Sequence, residues 1–147
     1  MPAPSLFATP APLLRLLATL ALALVLIVPR PAAAQDAAIE ETISRQLEAF
    51  NARDVDTAFD FASPMIQGLF GSAQNFGLMV QQGYPMVWTN DDVRFLELRE
   101  LRGALYQKVM IRDAQGALHV LDYRMIETPE GWRIDGVDFL PAPDVGV

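Results

Sequence analysis

The chain has 147 residues, with 11 Lys and Arg against 18 Asp and Glu, a formal net charge of −7 and no cysteine. Without cysteine there is no disulfide framework, thiolate zinc site or redox motif, and an acidic chain with a single lysine suits no nucleic-acid partner. An apolar fraction of 52% is too high for a disordered chain.

Residues 1–34 contain no acidic side chain. Arg15 precedes an apolar run from Leu16 to Val28 that only Thr19 interrupts. The run is 13 residues long; a membrane-spanning helix needs about 20, whereas the core of a secretory signal needs roughly 7–15. Pro29 and Pro31 stop a helix, and Ala32-Ala33-Ala34 supplies small residues for cleavage between Ala34 and Gln35. The expectation is a general secretory signal peptide over residues 1–34 and a bacterial periplasmic or secreted product with no membrane association after cleavage. Cleavage removes Arg15 and Arg30 and no acidic residue, so the mature chain is the more acidic.

A single domain is expected over residues 35–140. From Asp36 to Asn51, Ile39, Ile43, Leu47 and Phe50 form one stripe of a 3.6-residue period. A second helical stretch runs from Asp54, a candidate N-cap, to Ala62. Ser63-Pro64 reads as a cap followed by proline at the first helical position, opening a short turn through Leu69 that Gly68 and Gly71 punctuate. Ser72 caps a third helix to Gln82. The apolar run Tyr84–Trp88 reads as a lid over one end of the core, with an exposed interaction patch as the alternative.

Beyond Pro85 the period becomes two. Strands are expected over Val93–Leu101, Ala104–Arg112, Ala117–Glu127 and Trp132–Leu140, joined by short glycine-bearing links that make an antiparallel meander. A two-residue turn at Arg102-Gly103 sets Leu98 opposite Gln107 and Leu96 opposite Val109. A three-residue loop at Ala114–Gly116 sets Gln107 opposite Tyr123, Val109 opposite Leu121 and Ile111 opposite His119. Both turns put Leu96, Leu98, Leu105, Val109, Ile111, Leu121 and Met125 on one face, and a ladder of Glu97, Lys108 and Asp122 on the other. In the last strand Trp132 and Ile134 share one parity and Val137 and Phe139 the other, which a bulge at Asp135-Gly136 reconciles. The fold class is therefore α+β, with three N-terminal helices packed on a bent, mostly antiparallel four-stranded sheet. A flexible tail is expected over residues 141–147.

The segments Gln46-Leu47-Glu48-Ala49-Phe50, Ala58 through Pro64, Phe70-Gly71, Met79-Val80, Gly83-Tyr84-Pro85 and Gly131 through Gly136 resemble, in this order, a bacterial family called domain of unknown function 4864. The order of helices and bent sheet is also similar to the nuclear transport factor 2-like (SnoaL-like) cone fold. That fold hosts isomerases, cyclases, dehydratases, binding modules and oligomerisation domains, so the resemblance implies an architecture and no single activity.

Three polar residues stand on the apolar face. His119, the only histidine, suits acid–base work or a hydrogen bond near a hairpin end. Gln107 and Tyr123 need partners among their apolar neighbours and suit a concave pocket. Gln107, His119 and Tyr123 are the candidate ligand-binding residues, expected to point into one cavity. No catalytic residue is assigned. The clusters Asp54/Asp56/Asp60 and Asp91/Asp92 lack calcium-loop spacing, so no metal and no cofactor is expected. The reading is a non-catalytic domain that binds a small apolar ligand or a protein partner. The rival is a small isomerase- or dehydratase-like enzyme using His119, Tyr123 or Asp135 in a cone cavity. A homodimer packed sheet to sheet is a third reading, opposed by the charged outer face.

Amino-terminal sequencing of the exported protein is expected to begin at Gln35. Full-length protein lodged in the inner membrane would overturn this.

Overall fold

Helix α1 (Ala32–Asn51) carries the helical half of the chain against the sheet. Its stripe of Ile39, Ile43, Leu47 and Phe50 is buried along its whole length, and each such side chain contributes about 1.5–3 kcal/mol on full burial. The computed structural model describes residues 31–142. The apolar run of the expected signal and residues 143–147 of the expected tail lie outside them. The expected cleavage point falls within the first turn of α1, where Ala32–Ala34 are exposed and the first buried residue is Ile39.

Four shorter helices follow, so the helical half has five elements rather than three. Asp54 accepts a hydrogen bond from the Thr57 N–H and starts α2 (Val55–Asp60). Ser63 accepts from the Ile66 N–H, and Pro64 opens α3 (Pro64–Phe70). Gly71 ends α3 at φ +74°, the left-handed conformation that glycine adopts without steric cost. Ser72 accepts from the Asn75 N–H at the start of α4 (Ala73–Gly83). The one-turn α5 (Pro85–Trp88) buries Met86 and Val87, so the Tyr84–Trp88 run closes one end of the core. The two additional helices are short turns in which a proline fixes the first helical residue, and their length is too small for a periodicity to show. No helix among the described residues is long and apolar enough to cross a membrane.

Strands β1 (Asn90–Leu101), β2 (Ala104–Asp113), β3 (Leu118–Thr128) and β4 (Gly131–Leu140) form one curved antiparallel sheet in the order β1-β2-β3-β4. Arg102 and Gly103 both have positive φ, as a two-residue hairpin turn of the inverted type requires. Asp113 and Ala117 bond across the Ala114–Gly116 loop. The β2–β3 register follows from that loop: Gln107 faces Tyr123, Val109 faces Leu121, Ile111 faces His119 and Lys108 faces Asp122.

Two bulges bend the sheet. On β4 the pairing steps from Met125–Ile134 to Arg124–Gly136, leaving Asp135 as the extra residue. Trp132 and Ile134 are thereby buried on the same side as Tyr123. On β1 the pairing steps from Phe95–Val109 to Leu98–Gln107, with Leu96 and Glu97 opposite Lys108. This corrects the expected pairing of Leu96 with Val109. Phe95 takes that place, and Leu96 is exposed. The cause is Gln107, whose amide nitrogen donates to the Leu96 carbonyl at 2.9 Å and the Lys108 carbonyl at 3.0 Å, stapling the bulge.

The charged outer face is also arranged differently from a simple ladder. Lys108 meets Glu97 at 2.6 Å, but Asp122 is buried and takes two hydrogen bonds from the Arg99 guanidinium, at 2.7 and 3.2 Å. Arg99 of β1 stands opposite Tyr106 and reaches Asp122 diagonally across β2.

Gly77 faces α2 across α4; a Cβ there would lie 2.8 Å from Val55 Cγ1, whereas a Cβ on Gly68 would meet nothing within 4 Å. Gly68→Ala is expected to stabilise the fold by up to about 1 kcal/mol. Gly77→Ala is expected to destabilise it, because overpacking at about 1–3 kcal/mol exceeds the same helical gain. Urea midpoints that move in opposite directions check the pair; a Gly77→Ala protein as stable as the parent would show that α2 yields freely.

Candidate functional site

Between the helices and the β4 side of the sheet lies a cavity of about 290 Å³. One wall is α3, through Ile66, Leu69 and Phe70; another is α4, through Phe76, Met79 and Val80. The Phe76 ring anchors this apolar side, with ring centres 5.8 Å from Phe50, 5.3 Å from Phe59 and 5.7 Å from Phe70. The sheet contributes Tyr123 from β3 and Ile134, Gly136 and Val137 from β4.

The walls stand apart because of one backbone contact. The Ser63 N–H donates to the Ile134 carbonyl at 2.8 Å, and the Ile134 N–H donates to the Phe61 carbonyl at 2.9 Å. Phe61–Ser63 thus lies parallel along the free edge of β4, and Pro64 turns the chain away into α3. Beyond Ile134 the edge borders the cavity. Tyr84, at the junction of α4 and α5, donates its hydroxyl to the Val137 carbonyl at 2.9 Å and stacks on Phe139 with ring centres 4.9 Å apart. The exposed side chains of Leu69 and Phe139 flank this opening.

The polar content is small. Gln46 of α1 is buried and donates its amide nitrogen to the Ala58 carbonyl at 3.0 Å. Tyr123 is fully buried, and its hydroxyl has no hydrogen-bond partner among the described residues. Burial, with a smaller electrostatic contribution from the Tyr84 phenol, pushes the Tyr123 phenol well above its usual range. Burial also raises Tyr84, and the Asp138 charge adds to it. Asp138 is the one charged residue among the described lining. It pairs with Asp122 across the strands, and Asp122 meets Arg99 on the outer face.

Of the three residues singled out from the sequence, only Tyr123 lines the cavity. Gln107 is spent on the β1 bulge. His119 sits half-buried at the end of the sheet, with Nε2 2.8 Å from Asp113 Oδ2. Asp113 also accepts the N–H groups of Gln115 and Ala117, and its hydrogen bond with His119 holds its carboxyl below the usual range. That cluster organises a hairpin. Asp135, the carboxylate named for an enzymatic reading, lies 3.6 Å from Arg124 and is not part of the lining. No group of His, Asp and Glu among the described residues is arranged to hold a metal.

Gln46 was not singled out from the sequence, although its place three residues after Ile43 and four before Phe50 puts it on the buried face of α1. Tyr84 was named only as part of the Tyr84–Trp88 lid, and its bond to the distant Val137 carbonyl leaves no local signal.

Among known families, the one described as "Domain of unknown function (DUF4864)" matches residues 32–147. No curated protein matches the chain, and no solved structure does.

A buried hydroxyl without a partner costs about 1–3 kcal/mol, so Tyr123→Phe is expected to stabilise the protein at pH 7 by up to that amount. Above about pH 10 an unfolded chain releases the phenol proton while the folded chain keeps it. Unfolding is then favoured as pH rises, and the parent should lose about 1.4 kcal/mol per pH unit relative to Tyr123→Phe. Denaturation midpoints measured from pH 7 to 11 check both. Parallel pH profiles would show that the phenol titrates as in the unfolded chain.

Proposed function

The chain belongs to this family of unknown function, and from the geometry of its own residues we propose that it is an exported binding domain for a small, largely apolar ligand. The observation that carries the reading is the cavity of about 290 Å³, with apolar walls and an unpartnered phenol on its sheet side. Small-molecule sites are concave, mostly apolar and supplied with a few placed polar groups. Export rests on the apolar run of residues 16–28 and the alanines that follow it. The exposure of Ala32–Ala34 means that cleavage there costs the core nothing.

The size of the cavity bounds the ligand. At roughly 30 Å³ for each water-sized group, it holds about ten heavy atoms. Naphthalene has that size and no polar group. Its fluorescence is expected to change saturably on addition of the mature protein. Ile66→Trp, which places a larger ring on the α3 wall, should weaken this binding at least about tenfold, a loss of about 1.4 kcal/mol, with the circular dichroism unchanged. A linear, non-saturating response to the parent protein would end the binding reading.

A further inference from the structure

We propose that the exported chain is modified at its new amino terminus, where Gln35 closes on itself to a pyroglutamyl ring. The inference rests on the export reading above and adds a modification site that the cleavage itself creates.

Cleavage after Ala34 puts a free α-amine and a primary amide on one residue, Gln35. Cα, Cβ and Cγ separate the two groups, so attack of the amine nitrogen on the side-chain carbonyl carbon Cδ closes an unstrained lactam. The N–Cδ bond forms and the Cδ–Nε2 bond breaks. The amine gives up one proton, and Nε2 leaves with it as ammonia. No oxidant, cofactor or second reactant is consumed. A terminal α-amine titrates near about pH 8, so its neutral, nucleophilic form is plentiful around neutrality.

The fold leaves this residue free to react. In the first turn of α1 the Ala34 and Gln35 N–H groups both bond to the Pro31 carbonyl. Loss of residues 1–34 removes that acceptor, and the Gln35 nitrogen leaves the helical ladder as it becomes an amine. Gln35 is partly exposed, Asp36 and Ala37 are exposed, and the first buried side chain, Ile39, comes four residues later. The ring therefore forms ahead of the core and displaces nothing packed.

Charge favours the closed form. At pH 7 the open amine is largely a cation, held at the positive end of the α1 dipole, where positive charge is destabilising. The lactam nitrogen is neutral, so closure removes that repulsion. Closure also removes the free amine that an aminopeptidase engages, which protects the turn before Ile39 from trimming.

The test uses the full chain, expressed with its signal and recovered from the periplasm of a bacterial host. Freshly exported protein is expected to start at Gln35 with a free amine. After days at pH 8 its amino-terminal peptide should be lighter by one ammonia and refractory to stepwise degradation from the amino end. Gln35→Glu, whose carboxylate an amine does not attack, should keep its mass and its free amine over the same interval. It should also be trimmed by an aminopeptidase to which the aged parent is inert. An aged parent with the Gln35 amine still free would overturn the ring while export stands. A chain recovered with residues 1–34 attached, or cut at another bond, would remove the cleavage after Ala34 and the ring with it.

Discussion

The pair of hydrogen bonds that Ile134 makes with Phe61 and Ser63 ties the helical half to the edge of the sheet. They use the exposed edge of β4, which would otherwise present unpaired N–H and C=O groups, and they fix the point from which α3 departs. Ser63 is wholly buried there and also caps α3. One residue therefore joins the sheet edge to a helix start. Because Pro64 directs the chain outward, α3 stands off from the strand it has just left, and the cavity is the space between them.

The β4 bulge works with this contact. Without the extra residue Asp135, either Ile134 and Trp132 or Val137 and Phe139 would turn away from the helices. With it, both pairs lie on the helical side. Trp132 and Ile134 complete the core, and Val137 and Phe139 border the opening with Tyr84. The bulge at Leu96 and Glu97 does the same kind of work on β1, exposing Leu96 so that Phe95 can pack inward. The Gln107 amide stabilises that irregularity by taking up two carbonyls. Its burial serves the backbone, whereas the orphaned Tyr123 hydroxyl serves no internal structure.

Local signals in the sequence were legible. The α1 stripe, the caps at Asp54, Ser63 and Ser72, both hairpin turns, the β2–β3 register and the β4 bulge all follow from residues within a few positions of one another. The α+β class and the family followed too. What could not be read was non-local. The β1 bulge depends on a side chain from the neighbouring strand, and the Arg99–Asp122 pair joins strands that are not neighbours, across β2. The site suffered most. Face parity correctly grouped Gln107, His119 and Tyr123, but parity says nothing of position along the strands. His119 lies at the sheet end beside Asp113, and Gln107 is consumed by backbone. The cavity instead draws on Gln46 and Tyr84, whose neighbours come from opposite ends of the chain.

The order of the strands in the sheet has a kinetic meaning. Each strand pairs with its successor in sequence, so three hairpins can close through loops of two or three residues, at small entropic cost and on a microsecond scale. The contact between Ala62 and Ile134 spans the whole sheet sequence and can form only after β4 is in place. The hairpins therefore close at a lower entropic cost than the docking of the helical half onto the finished edge. With no cysteine to oxidise, no disulfide joins the two halves beforehand, and the apolar face of the sheet is open to unwanted association until that docking occurs.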